Sequence, residues 1–237
     1  MFAKGSTFQV SGIHQIEMTS RCNLRCKYCT HPTMARAKVD MTDEIYMQTL
    51  ALVKRLLHTY PGVQHELNLA GIGESTLHPE FVRNVFLARE AVGEHVDLVI
   101  ATNGLLMTKD LAREIAPARP RMFVSAHRPE RAKLAIDNLH EVGLLAGISF
   151  DPSVNATDWA GQVKWKVTSN AKGTACPWVV RGWAIALSDG RLARCSFDSS
   201  GDPTDIIGTV FDEPETLRTS AYRLCATCHM DVGVALN

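Results

Sequence analysis

The stretch MTSRCNLRCKYCTHP (residues 18–32) carries Cys22, Cys26 and Cys29, three of the chain's seven cysteines, in one short loop. Spaced C-x3-C-x2-C, three thiolates wrap a chain around one small cluster and hold three irons of a [4Fe–4S] cube. The fourth iron is then left without a protein ligand. An open coordination position separates a catalytic metal site from a closed structural one, a logic clearest for zinc. A structural zinc knuckle, or three scattered thiols, are the alternative readings of the same spacing. Directly before the loop, GIHQIEMT (12–19) predicts a strand that delivers the chain to the cysteines.

Outward from that loop, apolar β-branched runs alternate with helical patterns. TDEIYMQTLALVKRLLHTY (42–60) opens on Thr42, a good N-cap, and repeats apolar residues at helical spacing. HELNLAG (65–71) reads as a strand and PEFVRNVFLAREAV (79–92) as a helix. VDLVIATNG (96–104), KDLAREIA (109–116), RMFVSAH (121–127) and PERAKLAIDNLHEVG (129–143) continue the alternation. LLAGISFDP (144–152) and VKWKVTSN (163–170) predict two more strands. Repeated βα units imply an α/β fold with a parallel sheet and binding residues at the strands' C-terminal ends. Six such strands make a partial (β/α)6 TIM-like barrel, short of a closed eight. Near residue 171 the pattern changes. WVVRGWAIALSDGRLARCSFD (178–198) predicts a β-hairpin turning at Asp189-Gly190. The expected organisation is a barrel over 1–170 and a small second domain over 171–237, held together by its metal.

Composition narrows the function. The chain has 237 residues, 46% hydrophobic, with 25 basic and 25 acidic side chains. That balance argues against a strong non-specific polyanion binder. One segment, Lys109 to Lys133, is locally basic through Lys109, Arg113, Arg119, Arg121, Arg128, Arg131 and Lys133, against Asp110, Glu114 and Glu130. Solvated helix faces and a phosphate-binding patch are its two readings. The start, MFAKGSTFQVSGIHQ, lacks the apolar run of a signal peptide, and no stretch is apolar enough to span a bilayer. A soluble, cytoplasmic protein with no membrane partner is expected. In a reducing compartment, clustered cysteines bind metal or do redox chemistry more often than they form disulfides.

Cys22, Cys26 and Cys29, with Tyr28 as the aromatic residue before the third cysteine, resemble the C-x3-C-x-aromatic-C motif of the radical S-adenosylmethionine (SAM) superfamily. The resemblance implies that the amino and carboxylate groups of SAM chelate the unique iron. One electron from the reduced cluster then breaks a C–S bond, and the resulting 5′-deoxyadenosyl radical abstracts hydrogen from a substrate. It also implies a reductase or flavodoxin-type electron donor as partner. LAGIGESTLHPEF (69–81) is similar to the family's Gly-Gly-Glu segment, which receives the methionine ammonium. Gly73 and Glu74 match it, Gly71 allows close backbone approach, and Ile72 departs from it. The resemblance places Thr102 and Asn103 of ATNG (101–104) near the SAM pocket. Ser125 of VSAHRPE (124–130) stands where relatives use a serine to bind the SAM ribose or carboxylate. His127 replaces an aspartate frequent in relatives. GLLAGISF (143–150) reads as strand core or as a backbone support for adenine.

Cys176, Cys195, Cys225 and Cys228 remain. Their layout resembles the twitch domain, the shortened relative of the SPASM extension, which carries one auxiliary [4Fe–4S] cluster. GWAIALSDGRLARCSFD (182–198) and IIGTVFDEP (206–214) look like its hairpin and following segment. A four-cysteine zinc site uses the same ligands. The implied reaction is dehydrogenase-like: hydrogen abstraction from a small-molecule, sugar or nucleoside substrate, deprotonation of a neighbouring hydroxyl, and passage of the second electron to the auxiliary cluster. The candidates for base or charge-orienting group are His31, His127 and Arg181. A redox-neutral isomerase, for instance of amino-acid-modified thymidine in phage DNA, is a second reading, and the basic 109–133 segment suits a nucleic acid. A peptide-modifying enzyme is a third. A non-enzymatic zinc or iron–sulfur module is the reading from outside enzymology.

Overall fold

The computed structural model describes residues 7–154, 156–168, 175–198 and 201–230. In chain order its regular elements are β1 (Thr7–Gln9), β2 (Gly12–Ile16), α1 (Asp43–Thr59), β3 (Glu66–Asn68), α2 (Phe81–Val92) and β4 (Asp97–Thr102). They continue with α3 (Lys109–Ile115), β5 (Arg121–Ser125), α4 (Pro129–Glu141) and β6 (Ala146–Phe150). The last are α5 (Pro177–Val180), β7 (Trp183–Ala186), β8 (Arg191–Ala193), β9 (Ile206–Thr209) and β10 (Arg218–Ser220). One eight-stranded sheet has the order β6-β5-β4-β3-β2-β7-β8-β9. Six of its strands, β6 through β7 in that order, run parallel, and β8 and β9 are antiparallel additions. β1 and β10 form a separate antiparallel pair.

The sheet's outward face alternates with its inner face, as strand geometry requires. Leu67, Leu98, Ile100, Met122 and Val124 pack with Leu50, Val53, Leu56, Val85, Ala88 and Leu139 of the helices in one buried cluster. Two helices start on a threonine cap. The Thr42 hydroxyl accepts from the Ile45 N–H at α1, and the Thr108 hydroxyl from the Leu111 N–H at α3. This helical coat holds the strands so that their C-terminal ends open on one side.

Two expectations change. The strand predicted over 163–170 is absent from residues 163–168, and 169–170 lie outside the described residues. Instead residues 156–168 close a loop, with Thr168 N–H donating to Ala156 O and Ala156 N–H to the Thr168 hydroxyl. The alternation of VKWKV satisfied a strand template, but Trp165 turns onto Tyr28 at 5.4 Å rather than onto a sheet face. The sixth parallel strand is β7, paired with β2 at the sheet's other side. The predicted hairpin forms as β7–β8, with α5 at residues 177–180 where its first strand was expected. Three of the strands beyond residue 170, β7, β8 and β9, therefore extend the barrel's own sheet.

The basic segment is largely neutralised at close range. Lys109 pairs with Glu141, Arg113 with Asp110, Arg119 with Glu94, Arg121 with Glu66, and Lys133 with Asp137. This favours solvated faces over a phosphate patch. Among the described residues no helix is long and apolar enough to cross a membrane.

Candidate active site

Segments leaving five of the six parallel strands, β2 to β6, contribute on their C-terminal side to one cavity of about 180 Å³. After β2 come Cys22, Leu24, Cys26, Tyr28, Cys29 and His31; after β3, residues 70–74. Thr102 and Asn103 follow at β4, Ser125 and His127 at β5, Phe150 at β6, and Trp159 from the loop beyond. This is the edge where parallel α/β sheets bind their ligands.

The cysteine loop is wound by its own backbone. The Cys29 N–H donates to Cys26 O, the Leu24 N–H to Cys22 Sγ, and the His31 N–H to Cys29 Sγ, the last two at 3.4 Å. Burial pushes the Cys29 thiol up to about 11 and raises Cys22 as well. A bound cation would favour their ionised forms. Among the described residues no three Cys, His, Asp or Glu side chains converge as a single metal ion requires. A zinc site needs its sulfurs about 2.3 Å from one point, whereas a cube takes thiolates at separated corners. Three spaced thiols around an open cavity fit the cube.

The GIGE segment lies against the strand exit because its glycines have no side chains. A Cβ on Gly73 would stand 2.1 Å from Thr19 O, and one on Gly71 would stand 2.3 Å from Glu17 Cγ. That closeness lets the Glu74 N–H donate to Arg21 O at 2.8 Å. The Glu74 carboxylate is 97% buried by its residue's exposure of 3%. It accepts from the Thr102 and Thr76 hydroxyls at 2.7 and 2.6 Å, and from the Asn103 N–H at 2.7 Å. The Asn103 side-chain amide in turn donates to Asn23 Oδ1 at 2.7 Å. Cysteine loop, GIGE loop and TNG turn are thus one hydrogen-bonded unit.

On the far wall, Tyr28 Oη and His127 Nδ1 are 2.7 Å apart. Burial lowers the His127 pKa and raises that of Tyr28, so both are neutral near pH 7. Phe150 lies 5.5 Å from Tyr28 and 5.4 Å from His127. The Trp159 indole N–H donates to Tyr28 O at 2.9 Å. His31 is buried with Nε2 3.1 Å from Ser20 O, and burial lowers its pKa.

A second cavity, of about 110 Å³, is lined by Cys176, Cys195, Cys225 and Cys228 with Trp178, Phe197, Tyr222 and Met230. Cys195 Sγ lies 2.9 Å from Tyr222 Oη; backbone N–H groups of Tyr222 and Met230 donate to Cys225 and Cys228. Burial pushes Cys195 up to about 12 and Cys225 to about 11. All four thiols line one space, a donor set that an iron–sulfur cube and a four-cysteine zinc site both use. The two cavities share a partition. Trp159 lines the first and Ala160 the second, and the Phe197 ring of the second lies tilted against Trp159 at 5.6 Å.

The cavity brings together Cys22, Cys26, Tyr28, Cys29, His31, Gly73, Glu74, Asn103, Ser125 and His127. Arg181 does not join them. It follows α5 and enters β7 at its N-terminal end, where its guanidinium lies 4.9 Å over the Trp183 ring and Ser11 holds its carbonyl. β7 is parallel to β2, so this is the sheet edge opposite the cysteine loop. Sequence reasoning missed Asn23, Trp159, Glu17 and Arg36. An acid inside the apolar run GIHQIEMT was a readable signal for Glu17; Trp159 lies in a stretch without any pattern.

The family profile described as the Radical SAM superfamily matches residues 16–173. Among solved structures the chain is similar to BtrN in complex with AdoMet and 2-DOIA, with TM-score 0.64 and 16% identity, covering 83% of this chain and 76% of that one. It is also similar to native anSMEcpe with bound AdoMet and Cp18Cys peptide, with TM-score 0.59 and 16% identity, covering 86% and 78%. Likeness at that identity concerns the fold. Two curated relatives match in part. A tungsten-containing aldehyde ferredoxin oxidoreductase cofactor-modifying protein of Pyrococcus furiosus is 34% identical over 101 residues, 43% of this chain and 26% of that protein. Mitochondrial GTP 3′,8-cyclase of Arabidopsis thaliana is 27% identical over 145 residues, 54% and 35%. The chain spans about a quarter and about a third of the length of these two relatives.

Proposed function

From the premise that this chain belongs to the radical SAM superfamily, we propose that it oxidises a small hydroxylated substrate, such as a sugar, nucleoside or aminocyclitol, with an auxiliary cluster as electron acceptor. The residues that would hold the catalytic [4Fe–4S] cluster are Cys22, Cys26 and Cys29. Tyr28, Gly73, Glu74, Asn103 and Ser125 would receive SAM. Cluster and SAM, when bound, supply one-electron C–S cleavage and a carbon radical for hydrogen abstraction. Residues 171–237 would form the auxiliary unit, its cluster on Cys176, Cys195, Cys225 and Cys228.

Each protein group then has a defined task. Glu74 fixes Thr102 and Asn103 against the cysteine loop, so the SAM wall is rigid before ligand arrives. In the tautomer that carries its proton on Nδ1, neutral His127 donates to the Tyr28 oxygen and offers Nε2 to accept the proton of the substrate hydroxyl. His31, donating Nε2–H to Ser20 O, supports the cysteine loop and takes no part in proton transfer. Phe150 and Trp159 exclude water from the cavity wall beside Tyr28 and His127.

The observation that carries oxidation over isomerisation is the shared partition: Trp159 against Phe197 places the two thiol-lined cavities back to back. A redox-neutral isomerase has no use for such a link. The test is anaerobic loading with iron and sulfide, followed by SAM, a reductant and candidate alcohols. The proposal expects 5′-deoxyadenosine and a carbonyl product in equal amounts. Deoxyadenosine with an isomerised product, or a colourless protein holding only zinc, contradicts it.

A further inference from the structure

We infer that Glu17 is a positioning residue for SAM, acting through the backbone of Ile72. Glu17 stands just past β2 with its side chain fully buried, and Arg36, 3% exposed, pairs with it at 2.6 Å. Glu17 Oε2 also accepts the Ile72 N–H at 3.0 Å, while Oε1 accepts the Ser188 hydroxyl and N–H at 3.1 and 3.3 Å. Arg36 NH1 closes the circuit on the Ser188 hydroxyl at 3.5 Å. One carboxylate therefore ties three separate segments: the GIGE loop, the return arm of the cysteine loop, and the β7–β8 turn.

A buried ion pair is a poor device for stability alone, since two apolar residues of similar volume serve as well. What apolar residues do not replace is the acceptor for Ile72 N–H. Ile72 sits between Gly71 and Gly73, and all three line the SAM cavity. Gly71 exists to admit Glu17, because a Cβ there would overlap three of its side-chain atoms. Ile72 is also where the chain departs from a Gly-Gly-Glu pattern. Fixing its N–H by a side chain sets the peptide plane between Gly71 and Ile72, and so the direction in which the Gly71 carbonyl points.

This inference rests on the SAM reading of the cavity, and the test separates the two. Two double variants remove the ion pair alike: Glu17→Met with Arg36→Met, and Glu17→Gln with Arg36→Met. Only the second keeps an oxygen for Ile72. Hydrogen exchange over residues 69–74 of the unloaded protein reads the contact itself, and equilibrium dialysis of SAM against the cluster-loaded protein reads its consequence. We expect faster exchange and about tenfold weaker SAM binding in the Met/Met protein, the worth of one buried hydrogen bond. The Gln/Met protein should stay near wild type in both. Equal SAM affinity in the two doubles overturns the inference, whether both are tight or both are weak. If exchange responds as expected but wild type binds no SAM, the contact stands and the SAM reading fails with the role drawn from it.

Discussion

The two thiol-lined cavities differ in what surrounds the sulfur. The first has three cysteines and a wall of polar groups at strand ends: Glu74, Thr102, Asn103, Ser125 and His127. The second has four cysteines and a mostly apolar wall of Pro177, Trp178, Val179, Phe197, Leu224 and Met230. A site that must take a ligand and turn it over needs a missing thiolate and ready polar partners. A site that only stores or passes an electron needs all four ligands and a dry shell, which also tunes its potential. The contrast teaches that the same element, a loop cysteine, acquires its role from the neighbouring strand ends.

The largest test of that contrast is Cys195→Ala. Deoxyadenosine formation should persist, while product formation falls to background, as followed by chromatography of both products in one reaction. Full turnover would reduce the second cavity to a structural staple. Gly73→Ala comes next. Its Cβ meets backbone oxygens of Thr19 and Arg21 at 2.1 and 2.6 Å, so the GIGE loop must move off the cysteine loop. We expect a loss of about 2–4 kcal/mol in chemical unfolding and SAM binding weakened beyond detection; a variant that melts and binds like wild type would remove the close approach from the account.

A third test concerns His14, which stacks on Trp183 at 4.2 Å behind the second cavity. Burial first, and Arg181 second, lower its pKa from 6.5 to about 4. Glu66, 3.5 Å away, does not rescue the charged form, because burial raises its own carboxyl and Arg121 already pairs with it. The unfolded chain binds this proton more readily, so the contribution is complete above pH 6.5 and is lost as pH falls toward 4. It amounts to about 3 kcal/mol. Urea midpoints of wild type and His14→Phe should converge across that window; parallel curves would contradict the shift. The smallest effect expected is that of Trp159→Phe. Losing the indole N–H bond to Tyr28 costs about 1 kcal/mol, and the thermal midpoint should drop by a few degrees with SAM cleavage intact. An unchanged midpoint would separate the partition from the cysteine loop.

Much of the barrel was legible. Thr42 and Thr108 cap their helices, and the strands at 12–19, 65–71, 96–104, 121–127 and 144–152 all form, trimmed by a few residues at their ends. Periodicity works there because each strand is covered by a helix on one side. It failed at VKWKVTSN, where Trp165 packs on Tyr28 across the chain rather than on a sheet, as Trp159 just before it packs on Phe197. Of the site, the cysteines and GIGE were readable because spacing is local. Arg181 was misplaced because strand direction decides which sheet edge a residue meets, and β7 was not foreseen as parallel to β2. Glu17, Arg36 and Ser188 meet only after three distant segments have folded.

The most direct measurement loads two variants anaerobically, one lacking Cys22, Cys26 and Cys29, the other lacking Cys176, Cys195, Cys225 and Cys228, and records the electron paramagnetic resonance of each reduced cluster before and after SAM. The account predicts a cluster in both and a SAM-induced change only where the three N-terminal thiols remain. A change in the protein without those three, or none in the protein that keeps them, would contradict it.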